Sequence, residues 1–169
     1  MFTRGAQLRP PMPFTRGAQL RPPRPGELFE GALTGSRDFV YERATEYERM
    51  VMTEMEHALR GKHRFTEWKV RCIELRAGYA TCANPEWHVD SSLEVGYRPE
   101  HHVLFVTPPT TEFISPLHRW PVAVPAYTIV SYGRDLHRGP RALASGPLRL
   151  MIRASETDVA PPRRESVSR

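Results

Sequence analysis

From Trp68 onward, proline and glycine cut the chain into apolar runs that are short for helices. WKVRCIELRAGYA (68–80) alternates apolar and polar residues with period two. HHVLFVTPP (101–109) is a short apolar run that stops at two prolines. AYTIVSYG (126–133) and LRLMIRAS (148–155) follow the same style. Period two sends alternate side chains to opposite faces of a sheet. Strands at this spacing, with turn signals between them, predict an all-β sandwich or barrel.

One helix precedes the strands. Residues 36–61 carry Val40, Ala44, Tyr47, Val51, Met55 and Leu59 as one apolar stripe at helical spacing. Ser36 is placed to cap it, Asp38 suits its first turn, and Gly61 is a C-terminal stop. Met50, Met52 and Met55 read as packing residues. The expected architecture is therefore a mainly β domain with an N-terminal helix over one sheet face.

The chain has 169 residues, enough for one domain with a core. No apolar run approaches the roughly 18 residues of a membrane span, and no secretory signal is visible. Cys72 and Cys82 form neither a CxxC pair nor a disulfide framework, which predicts reduced thiols and a cytoplasmic location.

The net charge of +5 resides in the ends. Residues 1–25 hold Arg4, Arg9, Arg16, Arg21 and Arg24 and no acid, and Arg163, Arg164 and Arg169 face Glu165 at the other end. The stretch 26–160 is slightly acidic, which argues against a folded nucleic-acid module. FTRGAQLRPPMP (2–13) is followed by FTRGAQLRPPRP (14–25), with one difference in twelve. Its Pro and Arg density predicts a disordered tail over 1–25, either a docking tail or a tolerated extension. Residues 161–169 are expected to form a second disordered tail, leaving 26–160 as the domain.

Chemistry centres on PEWHVDSS (85–92). On a strand, His88 and Asp90 point the same way. YGRDLHRGPRA (132–142) then brings His137. Two histidines and a carboxylate are the facial ligand set of non-haem Fe(II) oxygenases, which leaves open positions on the metal. A surface-turn pair is the alternative for His88 and Asp90, and a backbone-bonded strand-end residue for His137. In GPLRLMIR (146–153), Arg149, Met151 and Arg153 share one strand face and Leu148, Leu150 and Ile152 the other. An arginine looking into a barrel needs an anion, and a carboxylate meets that need bidentately.

HVD followed by VPAYTIVSYGRDLHRGPRALASGPLRLMIR resembles the core of the Fe(II)/2-oxoglutarate-dependent oxygenase superfamily over residues 68–155. The resemblance implies a double-stranded β-helix (a cupin-like jelly roll). It implies that His88, Asp90 and His137 bind iron and that Arg149 binds the distal carboxylate of 2-oxoglutarate, with Arg153 as the rival anchor. It further implies that oxidation of 2-oxoglutarate by O₂ is coupled to oxidation of a substrate C–H bond. The substrate class stays open: small molecule, amino acid, carrier-bound intermediate or peptide.

Two other readings remain. In a cupin-type metal protein, Glu94 would join His88, Asp90 and His137, and no 2-oxoglutarate would be used. In a non-catalytic binding module, the basic tail would recruit an anionic partner. His101 and His102, adjacent on a strand, are expected on opposite faces, exposed or beside the ligands, and His118 is expected in a loop. Tyr79, Tyr97, Tyr132 and Trp87 are candidates to line a pocket, with core packing as the equal alternative.

Overall fold

A computed structural model of the chain describes residues 12–82, 85–90, 101–115, 117, 119–161 and 165–168. Glu94, Tyr97 and His118 lie outside the described residues. The elements are β1 (Thr15–Gln19), β2 (Gly31–Gly35), α1 (Arg37–Arg43), α2 (Glu46–Glu56), β3 (Phe65–Glu74), β4 (His101–Val106), β5 (Glu112–Ile114), β6 (Pro121–Ala123), β7 (Thr128–Tyr132), β8 (His137–Arg138), β9 (Leu148–Thr157) and β10 (Ser166–Ser168). They form a seven-stranded sheet in the order β1-β7-β4-β9-β3-β2-β10 and a three-stranded sheet in the order β6-β5-β8. Every pairing is antiparallel. The mainly β expectation holds.

The long strand β9 organises the molecule, pairing with β3 along ten residues and with β4 along six. Its period-two sequence divides two environments. Leu150, Ile152 and Ala154 are buried with Trp68, Val70 and Cys72 of β3 and Val103 and Phe105 of β4. The helices cover this face with Val40, Tyr47, Val51, Met52 and Met55. Each such aliphatic or aromatic side chain contributes roughly 1.5–3 kcal/mol by leaving water. The opposite face turns toward the small sheet, where Phe14, Leu104, Val106, Phe113, Val124 and Val130 make a second, smaller core.

The single helix expected over 36–61 is two helices. Ala44 leaves helical geometry with ψ 153°, and Thr45 starts again as an N-cap. Thr45 Oγ1 accepts from the Glu48 amide at 3.2 Å, and the Glu48 carboxylate accepts from the Thr45 amide at 2.8 Å. This reciprocal capping box stabilises the restart, and TEYE (45–48) is its sequence signature. Ser36 caps α1 as expected. An Arg37–Glu56 ion pair of 2.7 Å holds the first helix to the second.

The described parts of both expected tails, residues 12–25 and 165–168, include paired strands. In the second copy of the repeat, Phe14 is buried, β1 pairs with β7, and the Leu20 amide donates to the Tyr127 carbonyl at 2.8 Å. Residues 166–168 pair with β2 as strand β10. Both segments find an unpaired sheet edge, which offers a row of free backbone donors and acceptors to any extended chain. Composition reports too few apolar residues for a core but is silent about edges waiting to be paired. Among the described residues, no helix is long and apolar enough to cross a membrane.

Candidate metal centre

His88 and His137 are fixed by the backbone before their side chains matter. The two residues exchange main-chain bonds, His88 N–H to His137 O at 3.0 Å and His137 N–H to His88 O at 2.9 Å. Their rings consequently sit side by side, with centroids 4.5 Å apart. Asp90, two residues beyond His88, brings Oδ2 to 3.2 Å from His137 Nε2. One donor atom from each of the three residues lies within 4.8 Å of the others. The spacing read from the sequence is thus a real convergence.

The ring nitrogens are oriented for ligation. His88 Nδ1 lies 2.7 Å from the Glu86 carbonyl, and His137 Nδ1 lies 2.9 Å from the Asp135 carbonyl. A carbonyl only accepts, so each Nδ1 carries the proton. In the neutral ring this leaves the Nε2 lone pair for a metal, the arrangement that outer hydrogen bonds impose on metal-binding histidines. The donor set of two imidazoles and one carboxylate suits a borderline or hard divalent ion.

Asp90 is held from two further sides. Its Oδ1 pairs with the Arg153 guanidinium, and Oδ2 accepts from the Tyr132 hydroxyl at 2.5 Å. Burial works against its charge, but Arg153 and His137 outweigh burial and hold its pKa well below the usual carboxylate range. Tyr132 is pushed the other way, well above the ordinary phenol value, by burial and by the Asp90 charge. It is therefore a donor at all working pH values.

His102 lies behind Tyr132, the two rings stacked at 4.8 Å. Its Nδ1 is 2.8 Å from Ser155 Oγ, and among the described residues its buried Nε2 has no hydrogen-bond partner. Burial pushes its pKa down to about 3, so it is neutral. His101 points to the opposite face, as expected, where its Nδ1 lies 2.5 Å from Glu156 Oε2. Both histidines are fully buried rather than exposed.

A cavity of about 90 Å³ joins the three candidate ligands to Arg149, Arg71 and Thr111. Arg149 is only 4% exposed. Its Nε donates to the Pro109 carbonyl at 2.7 Å and Nη2 to Thr111 Oγ1 at 3.4 Å. Among the described residues, no carboxylate pairs with it. Burial, reinforced by the neighbouring Arg71 charge, lowers its pKa to about 10, which still leaves a cation at neutral pH. A buried guanidinium without a counter-ion is costly, and a ligand carboxylate would remove that cost. Arg153, four residues away and so about 13 Å along the strand, is committed to Asp90.

Gly139 presses close to this cavity. A Cβ there would fall 2.6 Å from Thr81 Oγ1 and 2.8 Å from Cys82 Sγ. Cys72 and Cys82 are not joined in a disulfide. Tyr79 is 68% exposed and does not line the cavity, whereas Tyr132 does. Trp87 stacks on Arg138 at 4.4 Å, and Arg138 in turn pairs with Glu112 at 2.9 Å.

Sequence reasoning missed three participants: Arg153 as the partner of Asp90, Tyr132 as its donor, and Arg71 on the cavity wall. Period two in β9 already put Arg153 on the same face as Arg149. Nothing in the sequence, however, shows which neighbour brings the acid. Comparison with protein-family models, curated proteins and solved structures finds no match to this chain.

Proposed function

We propose that this chain is an Fe(II)- and 2-oxoglutarate-dependent oxygenase built on a double-stranded β-helix, its two sheets being the two halves of that barrel. The observation that carries the reading is the pairing, within one cavity, of a His-Asp-His cluster with a buried arginine that has no carboxylate partner among the described residues. The ligand cluster alone would suit many metals. The arginine adds the requirement for an anion beside the metal, which is what 2-oxoglutarate supplies.

In this reading His88, Asp90 and His137 hold the iron. When bound, iron with 2-oxoglutarate and O₂ supplies the oxidation of a C–H bond, with succinate and CO₂ as coproducts. The protein residues do the rest. Arg153 and Tyr132 fix the Asp90 carboxylate, and the Glu86 and Asp135 carbonyls fix both imidazoles. Arg149 receives the distal carboxylate, steadied by Pro109 and Thr111. A polar groove of about 410 Å³, lined by Glu86, Glu112, Arg138 and Arg141, meets the cavity at Gly139 and is the approach for the substrate.

The test is succinate formation from 2-oxoglutarate in air by iron-loaded protein, with Arg149→Ala alongside. Slow succinate release that falls at least tenfold in the variant supports the reading. Stoichiometric iron with no consumption of 2-oxoglutarate would replace it with a jelly-roll metal protein that uses no such cosubstrate.

A further inference from the structure

The tandem repeat gives this chain two strands for one seat. The second copy is seated as β1. Phe14 packs its ring 5.5 Å from Phe113, and Thr15 and Arg16 pair with Ser131 and Val130 of β7. Gly17 passes so close to β7 that a Cβ would sit 3.2 Å from the Ile129 carbonyl. Leu20 bonds to Tyr127, and the Tyr47 hydroxyl donates to the Arg21 carbonyl at 2.8 Å. Arg21 lies over the Tyr47 ring and pairs with Glu27 at 2.7 Å.

Every side chain used in these contacts is repeated twelve residues earlier, as Phe2, Thr3, Arg4, Gly5, Leu8 and Arg9. The one difference, Met12 for Arg24, falls at an exposed side chain whose hydrogen bonds are made by its backbone, Arg24 N–H to Glu27 Oε2 at 2.6 Å and Glu27 N–H to the Arg24 carbonyl at 3.1 Å, and whose charge adds a minor attraction to Glu27. The strand contacts of the seat are therefore the same for both copies, and only the surroundings of Glu27 differ.

We propose that residues 2–13 are a second occupant of the β1 seat in the same chain. When they enter it, residues 14–25 leave as a loop between Pro13 and Gly26. Closing that loop costs entropy that grows only slowly with length, so the second copy is the majority occupant and the first a reserve. Occupancy reaches the candidate site, because Phe113 lies 5.2 Å from the His137 ring and 4.9 Å from Tyr132. The repeat thus safeguards the wall behind a candidate ligand against loss of one strand. The proposal stands independently of which metal or cosubstrate the site takes.

Two measurements on the full chain test it. In a Cys82→Ser background, Thr15→Cys with Ser131→Cys places thiols on opposed residues, within disulfide range for paired strands. Thr3→Cys with Ser131→Cys does so only if the first copy is seated. The expected result is an intramolecular disulfide in most molecules of the first pair and a minority of the second, rising to a majority when Phe14→Asp is added. Absence of that disulfide even with Phe14→Asp overturns the proposal. A disulfide only between chains overturns it too and assigns the first copy to exchange with a second molecule.

Thermal unfolding gives the independent reading. Phe2→Asp and Phe14→Asp should each lower the midpoint by about 3 °C or less, and the double variant by roughly 10 °C, as for loss of a buried aromatic anchor. A full drop from Phe14→Asp alone would contradict a reserve strand.

Discussion

The two faces of β9 are the same strand in two different solvents. On the helix side, Leu150, Ile152 and Ala154 are fully buried in the apolar cluster beneath the helices. On the inner side, Arg149, Met151 and Arg153 meet Asp90, Tyr132 and Arg71 around a cavity. The helix face is satisfied by the chain's own atoms. The inner face contains an arginine with no acid partner among the described residues and a cluster of donor atoms with overlapping demands. The contrast lies within about 3.4 Å of backbone per residue: one face closes the fold, and the other carries the candidate site.

The strongest way to break this comparison is to remove a candidate ligand. Asp90→Ala should weaken iron binding by more than about 100-fold, beyond what loss of an outer partner costs, as read by equilibrium dialysis. Its folded state should persist. On the helix face the opposite split is expected. Ile152→Ala should cost about 2–5 kcal/mol in urea unfolding while leaving iron affinity within twofold.

Arg149→Met sharpens the point further. It removes a buried arginine that has no acid partner among the described residues, so the urea midpoint should stay or rise, as replacement of buried charge by an apolar group allows. Affinity for 2-oxoglutarate should fall about 30-fold or more, the scale for truncating one partner of a buried ion pair. A variant that lost stability and kept the cosubstrate would assign Arg149 to structure. Arg153→Met should act more weakly, lowering iron affinity about 10–100-fold through a misdirected Asp90.

The smallest effect is a pH slope. The folded pKa of His102 lies near 3, below the value in the unfolded chain. The unfolded state therefore binds the proton first as pH falls, and stability is lost from about pH 6.5 downward. Its slope is at most about 1.4 kcal/mol per pH unit, and His102→Phe should remove it. Measuring unfolding in urea between pH 7 and 5 checks this, and an unchanged slope in the variant would place the acid sensitivity elsewhere.

What the sequence disclosed follows from what periodicity can carry. Period two in LRLMIRAS already separated Leu150 and Ile152 from Arg149 and Arg153, and the structure keeps that separation. The spacing of His88, Asp90 and His137 likewise survives as a convergence of side chains. The break at Thr45 was legible as a capping box, but the apolar stripe from Val40 to Leu59 runs straight through it and conceals it. Partnerships between distant segments were not legible, because Asp90 lies outside the strands and meets Arg153 through a chain path that sequence spacing does not encode. The seating of residues 14–25 was hidden for a related reason: an edge strand needs backbone groups and one anchor, here Phe14, rather than an apolar pattern.

The central claim is that metal and cosubstrate share the inner face, and anaerobic titration of Fe(II)-loaded protein with 2-oxoglutarate tests it most directly. The prediction is a weak visible charge-transfer band that saturates at one equivalent of cosubstrate per iron and needs far more of it in Arg149→Ala. A protein that holds iron at His88, Asp90 and His137 yet shows no band at any 2-oxoglutarate concentration would contradict the claim.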